Sequence, residues 1–163
     1  MGDPAQDPGR YLGALHNIHS LTLANTRVER TGEEEFRTRF SVFRETLTCL
    51  FLDTFTTSFS GFVVLVNYFP NITTLGLRFP IPAHEKNPVP SLSRPLRGKL
   101  HVCGTHHHLK FFSQFAKLEL EYEELVIDSL FGSFMETKYL ESIIQISAST
   151  VKFLRLTARL RCE

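Results

Sequence analysis

The sequence predicts an α/β solenoid, with about six short parallel strands on a concave face and irregular helices and loops on the convex face. The first observation behind this is a phrase, apolar-x-x-Leu-x-Leu, that returns at a near-fixed distance. Its strand pairs are Leu50/Leu52, Leu75/Leu77, Leu100/Val102 and Leu125/Ile127, each 25 residues after the last. One step of 29 residues on either side reaches Leu21/Leu23 and Leu154/Leu156. The second is that Ile18, Leu47, Ile72, Arg97, Tyr122 and Val151 stand three residues upstream of the pairs, four of them aliphatic. The third is physical. Side chains alternate along a strand, so each pair points one way and a single unit cannot bury it. Stacking the units in parallel, about 4.8 Å apart, makes one apolar column. The return segments are bulkier than the strands, so the stack bends with the sheet inside. Repeats of this length mark solenoids. Leu118-x-Leu120 repeats part of the phrase seven residues off the series, and the period outweighs it.

The elements follow in order. Residues 1–10 carry two prolines, two glycines and two aspartates and read as a disordered lead-in. The solenoid is expected over 11–163. Residues 19–24 alternate as a half-buried strand does. Residues 27–44 are charged, and Glu33-Glu34-Glu35 reads as a solvated helix start. Phe36, Phe40 and Phe43 then lay an aromatic edge on the core at helical spacing. The second strand is expected over 48–53. Residues 54–61 form a capping region in which Ser58 or Ser60 accepts a bond from the next helix. Phe62, Leu65, Val66 and Phe69 make that helix's buried stripe, Pro70 ends it, and the third strand starts at once.

Residues 79–96 hold five of the eight prolines, which predicts a looping crossover in place of a helix. The fourth strand is expected over 99–103, followed by Gly104 and a histidine run. Leu109, Phe112, Phe115 and Leu118 have weak helical spacing, with Phe111 adding apolar mass. The fifth strand is expected over 124–128. Tyr139, Leu140, Ile143 and Ile144 mark the clearest amphipathic helix, which Ile146 extends. The sixth strand is expected over 152–157.

Composition bounds the function. Hydrophobic residues are 42% and charged residues 21%, an ordinary globular balance. Lys and Arg total 18 against 17 Asp and Glu, which argues against binding nucleic acid by phosphate neutralisation. The first residues carry no apolar run, so no secretory signal is expected. The longest apolar stretch, 62–69, is far short of the roughly 20 residues of a membrane helix. Cys49, Cys103 and Cys162 are scattered and predict free thiols in a reducing compartment. The expected location is therefore intracellular, cytoplasmic or nuclear, with no nucleic-acid or membrane partner. Asn71-Ile72-Thr73 matches a glycosylation sequon by coincidence, since Ile72 belongs to the repeat core.

The phrase and its period resemble leucine-rich repeats. That resemblance implies a curved α/β solenoid with a parallel sheet on the concave face. It covers roughly residues 15–157 and is strongest at Leu47-Thr48-Cys49-Leu50-Phe51-Leu52 and Ile72-Thr73-Thr74-Leu75-Gly76-Leu77. The family often places an asparagine ladder three residues after the second strand leucine. Here those positions are Thr26, Phe55, Pro80, Thr105, Leu130 and Arg159, so irregular turns are expected. Phrases such as those at 69–75 and 149–156, with uneven returns, look like the divergent repeat region of fungal F-box-type proteins. That resemblance implies substrate recognition in a ubiquitin ligase, with an N-terminal F-box binding an adaptor. The polar residues 1–10 are too few for such a helical module. Ligase components are thus expected partners only if an F-box lies outside this chain.

Catalytic motifs are missing. There is no Gly-x-Ser-x-Gly elbow and no Gly-x-x-x-x-Gly-Lys loop. Asp53 and Asp128 have two strands between them, about 14 Å, too far for a glycosidase pair. No enzyme activity and no cofactor are expected. His101, Cys103, His106, His107 and His108 are zinc-ligand types. The adjacent histidines cannot all converge on one ion with relaxed geometry, so the expected reading is a polar loop, and a metal-binding protein is a distant alternative.

The concave face remains. Its outward residues are Thr22 and Ala24, Phe51 and Asp53, Gly76 and Arg78, His101 and Cys103, Val126 and Asp128, Arg155 and Thr157. Phe51, Asp53, Gly76, Arg78, His101, Cys103, Val126, Asp128 and Arg155 are the candidate partner-binding residues. Asp53 and Arg78 are expected to pair laterally, and Gly76 to leave a bare gap between Phe51 and His101. The reading is a non-enzymatic protein–protein interaction module with an unknown protein partner. The alternative is a truncated or remnant repeat segment without independent activity, since neither end shows a clear polar capping unit.

Overall fold

A computed structural model describes residues 17–28, 33–82, 90–104, 111, 114–115, 117–118, 120–129, 141, 144–145 and 148–158. Strand β1 is Ser20–Ala24, β3 is Cys49–Asp53 and β5 is Thr74–Arg78; β7 is Leu96–Gly104, β8 is Leu120–Ser129 and β9 is Phe153–Ala158. These pair in the order β1-β3-β5-β7-β8-β9, parallel throughout. The chain is thus an α/β protein built on a six-stranded parallel sheet.

The sequence period is the pairing register. Leu21, Leu50, Leu75, Leu100, Leu125 and Leu154 lie side by side, and so do Leu23, Leu52, Leu77, Val102, Ile127 and Leu156. The four interior pairs, from Leu50/Leu52 to Leu125/Ile127, are almost fully buried. Burial of each such side chain stabilises by roughly 1.5–3 kcal/mol, so these rows hold the sheet in register. Leu23 is buried and Leu21 half-buried at one edge, whereas Leu154 and Leu156 are exposed at the other.

Helix α1, Glu33–Phe40, is shorter than the phenylalanine spacing implies. A 3₁₀ turn, Ser41–Phe43, takes over and carries Phe43 into the core, with Phe40 packed beside it at a ring distance of 6.0 Å. Helix α2, Phe59–Tyr68, has Ser58 as its cap: the Gly61 N–H donates to Ser58 Oγ at 3.1 Å. Its predicted stripe is buried, together with Phe59 and Val63. Phe62 meets the edges of Phe111 and Phe115 at 5.2 and 5.9 Å. Phe111, Gln114 and Phe115 are helical, as are Glu141, Ile144 and Gln145. The remaining positions of those two predicted helices, the lead-in, His106 to His108 and Cys162 lie outside the described residues. No helix among the described residues is long and apolar enough to cross a membrane.

No helix occupies 90–95. Asn67 on α2 anchors that crossover, donating to the Ser91 carbonyl at 3.1 Å and accepting from the Ser93 N–H at 2.9 Å.

Two expectations are corrected. The turns after β1, β3 and β5 are regular although the asparagine ladder is missing. Asn25, Thr54 and Phe79 each adopt a left-handed φ, of 51°, 50° and 47°. Their N–H groups donate across the stack to the carbonyls of Asp53, Arg78 and Cys103 at 2.8–3.0 Å. Backbone groups thus link these three turns, each to the following strand. A second small sheet continues from these turns: β2 (Arg27–Val28), β4 (Thr56–Thr57) and β6 (Ile81–Pro82), again parallel.

The fourth and fifth strands are also longer than the leucine phrase alone implies. Their pairing runs back to Leu96 and Leu120 through a register shift between Gly98 and Lys99, where Glu123 is the extra residue. Gly98 has φ +87°, and a Cβ there would meet the Thr73 backbone, including its carbonyl carbon at 3.0 Å. The shift explains why Arg97 breaks the aliphatic series. Leu96 turns into the core beside Leu120, while Arg97 stays exposed.

Candidate interaction surface

The face opposite the leucine rows carries two lateral columns. The first is Thr22, Phe51, Gly76, His101, Val126 and Arg155; the second is Ala24, Asp53, Arg78, Cys103, Asp128 and Thr157. All nine candidate residues therefore lie on one sheet face. Strand alternation puts them there, and burial of the leucine rows on the other side holds them.

Asp53 and Arg78 form the expected ion pair, but loosely. Asp53 Oδ2 lies 3.7 Å from Arg78 Nη1, and the arginine side chain is 60% exposed. Such a pair stabilises by at most about 1 kcal/mol. The Asp53 carboxylate also accepts from the Thr54 hydroxyl at 3.1 Å. The Arg78 guanidinium rests 5.4 Å from the Phe79 ring centre, a cation–π contact that steadies it on the surface.

Gly76 does not leave a bare gap. Phe51 leans along the face until its ring lies where a Gly76 side chain would stand: a Cβ there would fall 2.6 Å from Phe51 Cε1. Gly76 is therefore buried. The ring forms part of a shallow depression of about 210 Å³, rimmed by Thr22, Asp53, Arg78, His101 and Cys103. Val126 points the same way and is only 7% exposed, lying between His101 and Arg155 in its column.

Between β7 and β8 the face is laced with charge. Arg97 Nε meets Glu121 Oε2, Lys99 Nζ meets Glu124 Oε1 and His101 Nε2 meets Asp128 Oδ2, each at 2.7 Å. Burial pushes the Asp128 carboxyl upward. The His101 and Thr157 hydrogen bonds, with the charges of His101 and Arg155, outweigh it and hold the group below its ordinary value. The Lys99–Glu124 pair was within reach of the sequence, since the two lie one 25-residue step apart. The His101–Asp128 pair was not, because it runs diagonally between columns.

Asp53 and Asp128 share a column with Arg78 and Cys103 between them, so the carboxylates are not brought together. Cys49 and Cys103 are half-buried and form no disulfide with each other. Among the described residues, no three His, Cys, Asp or Glu side chains are grouped to hold a metal ion. The face offers an exposed guanidinium, an aromatic ring and paired charges, a set suited to stacking and hydrogen bonding with a partner. No protein-family model, curated protein or solved structure matches the chain.

Proposed function

We propose that the six-stranded sheet is the concave wall of a leucine-rich-repeat-type solenoid, and that its open face is a non-enzymatic protein-interaction surface. The observation that carries this reading is Arg78. It stands exposed at the rim of the depression that the Phe51 ring helps to line, held by a loose ion pair to Asp53 and a cation–π contact with Phe79. Arginine and aromatic side chains at the centre of a face are the types that dominate binding energy. The turn hydrogen bonds and the 25-residue register support the solenoid half of the proposal. Its more specific form is substrate recognition for an F-box-type ubiquitin ligase inside the cell, which requires an F-box beyond residues 1–163.

Affinity capture with the immobilised chain tests it. A partner that is enriched by the native chain should be lost with Arg78→Glu and kept with Lys117→Glu, an exposed change off the sheet. Equal capture by all three chains would remove the open face from the proposal.

A further inference from the structure

The outer edge of β9 is the least covered apolar part of the described chain. Among the described residues it is the last strand of its sheet, and its outward N–H and C=O groups face no described strand. The leucine rows that are buried in the interior reach β9 as Leu154, 42% exposed, and Leu156, 58% exposed, with Phe153 also exposed on the other face. Among the described residues, the leucine rows therefore reach β9 with their last pair open. Natural sheets rarely leave such an edge uncovered.

Charge indicates what would cover it. Basic strand β7 meets acidic strand β8 through Arg97–Glu121, Lys99–Glu124 and His101–Asp128. Strand β8 meets basic residues again on its other side. Lys152, just before β9, pairs with Glu123 at 3.0 Å, and Arg155 acts on Asp128. The alternation thus ends on a basic strand. A neighbour that continued the sheet would bring aliphatic residues to the Leu154/Leu156 side and carboxylates to the Arg155 side.

We propose that the β9 edge accepts, by parallel strand addition, a partner-protein segment in which aliphatic residues alternate with Asp or Glu. Backbone hydrogen bonds along the edge would supply affinity, and the alternation would supply specificity. A second copy of this chain fits less well. Two β9 strands would bring Arg155 and Lys152 of both copies together, and β1 offers no acidic residue in Ser20–Ala24.

Fluorescence anisotropy with a short labelled peptide alternating leucine and glutamate tests this. The peptide should bind saturably, at least about tenfold more tightly than its leucine–lysine counterpart. Leu156→Asp should weaken it about tenfold, and Arg155→Glu should reverse the preference between the two peptides. Both residues are exposed, and Arg155→Glu reads the charge dependence even if Leu156→Asp disturbs folding. Arg78→Glu should leave peptide binding unchanged, which separates this edge from the open face. Equal affinity for the two peptides, or indifference to both β9 variants, overturns the proposal. So does concentration-dependent self-association in sedimentation that Leu156→Asp abolishes and the peptide does not compete, because the occupant is then a second copy.

Discussion

The Phe51 ring occupies the space above Gly76, one strand away in the same lateral column. The two positions are one packing unit: an aromatic side chain on β3 and the absence of one on β5. The shape of the open face, and the depression beside Arg78, depend on that exchange.

A double-mutant cycle should detect it. Gly76→Ala forces the ring to turn away and should cost about 1 kcal/mol by overpacking. In a Phe51→Ala background the same change should be neutral or stabilising, because alanine suits a strand better than glycine. Denaturant unfolding of the four chains should give a coupling energy of about 1 kcal/mol. Simple additivity would show that the ring and the glycine are independent.

The turn after β3 stores strain. Thr54 is β-branched and sits at φ 50°, where such residues are costly. Asn25 holds the equivalent turn with a residue type that tolerates this conformation. Thr54→Asn should stabilise by about 0.5–1 kcal/mol and raise Tm by about 1–4 °C, after losing the Thr54–Asp53 hydrogen bond. Asn25→Val should lower Tm. A drop in Tm for Thr54→Asn would mean that the hydrogen bond outweighs the strain.

Tyr122 is buried opposite Gly98, and its hydroxyl has no hydrogen-bond partner among the described residues. Burial drives its ionisation far above the ordinary range, outweighing the opposite pull of the Arg94 charge. The ring, not the hydroxyl, holds the site. Tyr122→Phe should therefore be neutral or gain up to about 1 kcal/mol, whereas Tyr122→Ala should cost about 3–5 kcal/mol. A clear loss for Tyr122→Phe in urea unfolding would reveal a partner for the hydroxyl.

The His101–Asp128 pair predicts an acid-side dependence. The folded Asp128 carboxyl lies below its ordinary value, so the native state binds this proton less readily than the unfolded chain. Its contribution is full above the unfolded value of 3.8 and is lost as pH falls through the lowered folded one. Because Asp128 is more than a third exposed, solvent screening keeps the effect on total stability small. An NMR titration should see it directly. His101→Leu removes the hydrogen bond and leaves the burial, so the Asp128 midpoint should move up. An unmoved midpoint would mean that Thr157 and Arg155 suffice.

Much of the sheet was legible in the chain because its strand period and its pairing register are the same quantity. Each leucine pair can be buried only beside the next, so the spacing alone makes Leu50, Leu75, Leu100 and Leu125 neighbours. The Asp53–Arg78 pair followed from the same spacing. The bulge at Gly98 was less visible. Arg97 in an aliphatic position was its one signal, and a glycine does not announce a positive φ. Two-residue strands such as Thr56–Thr57 carry no period at all, so the second sheet had no signature.

The sequence by itself determined the strand order, the register and the sheet face on which each candidate residue lies, because alternation and burial leave one solution for repeated Leu-x-Leu. Only the tertiary structure decided what those residues do to one another. The Phe51 ring over Gly76, the diagonal His101–Asp128 bond and the open Leu154/Leu156 edge depend on side-chain rotamers, bulges and neighbours. Those are set by packing between strands and are not written in the spacing of any one of them.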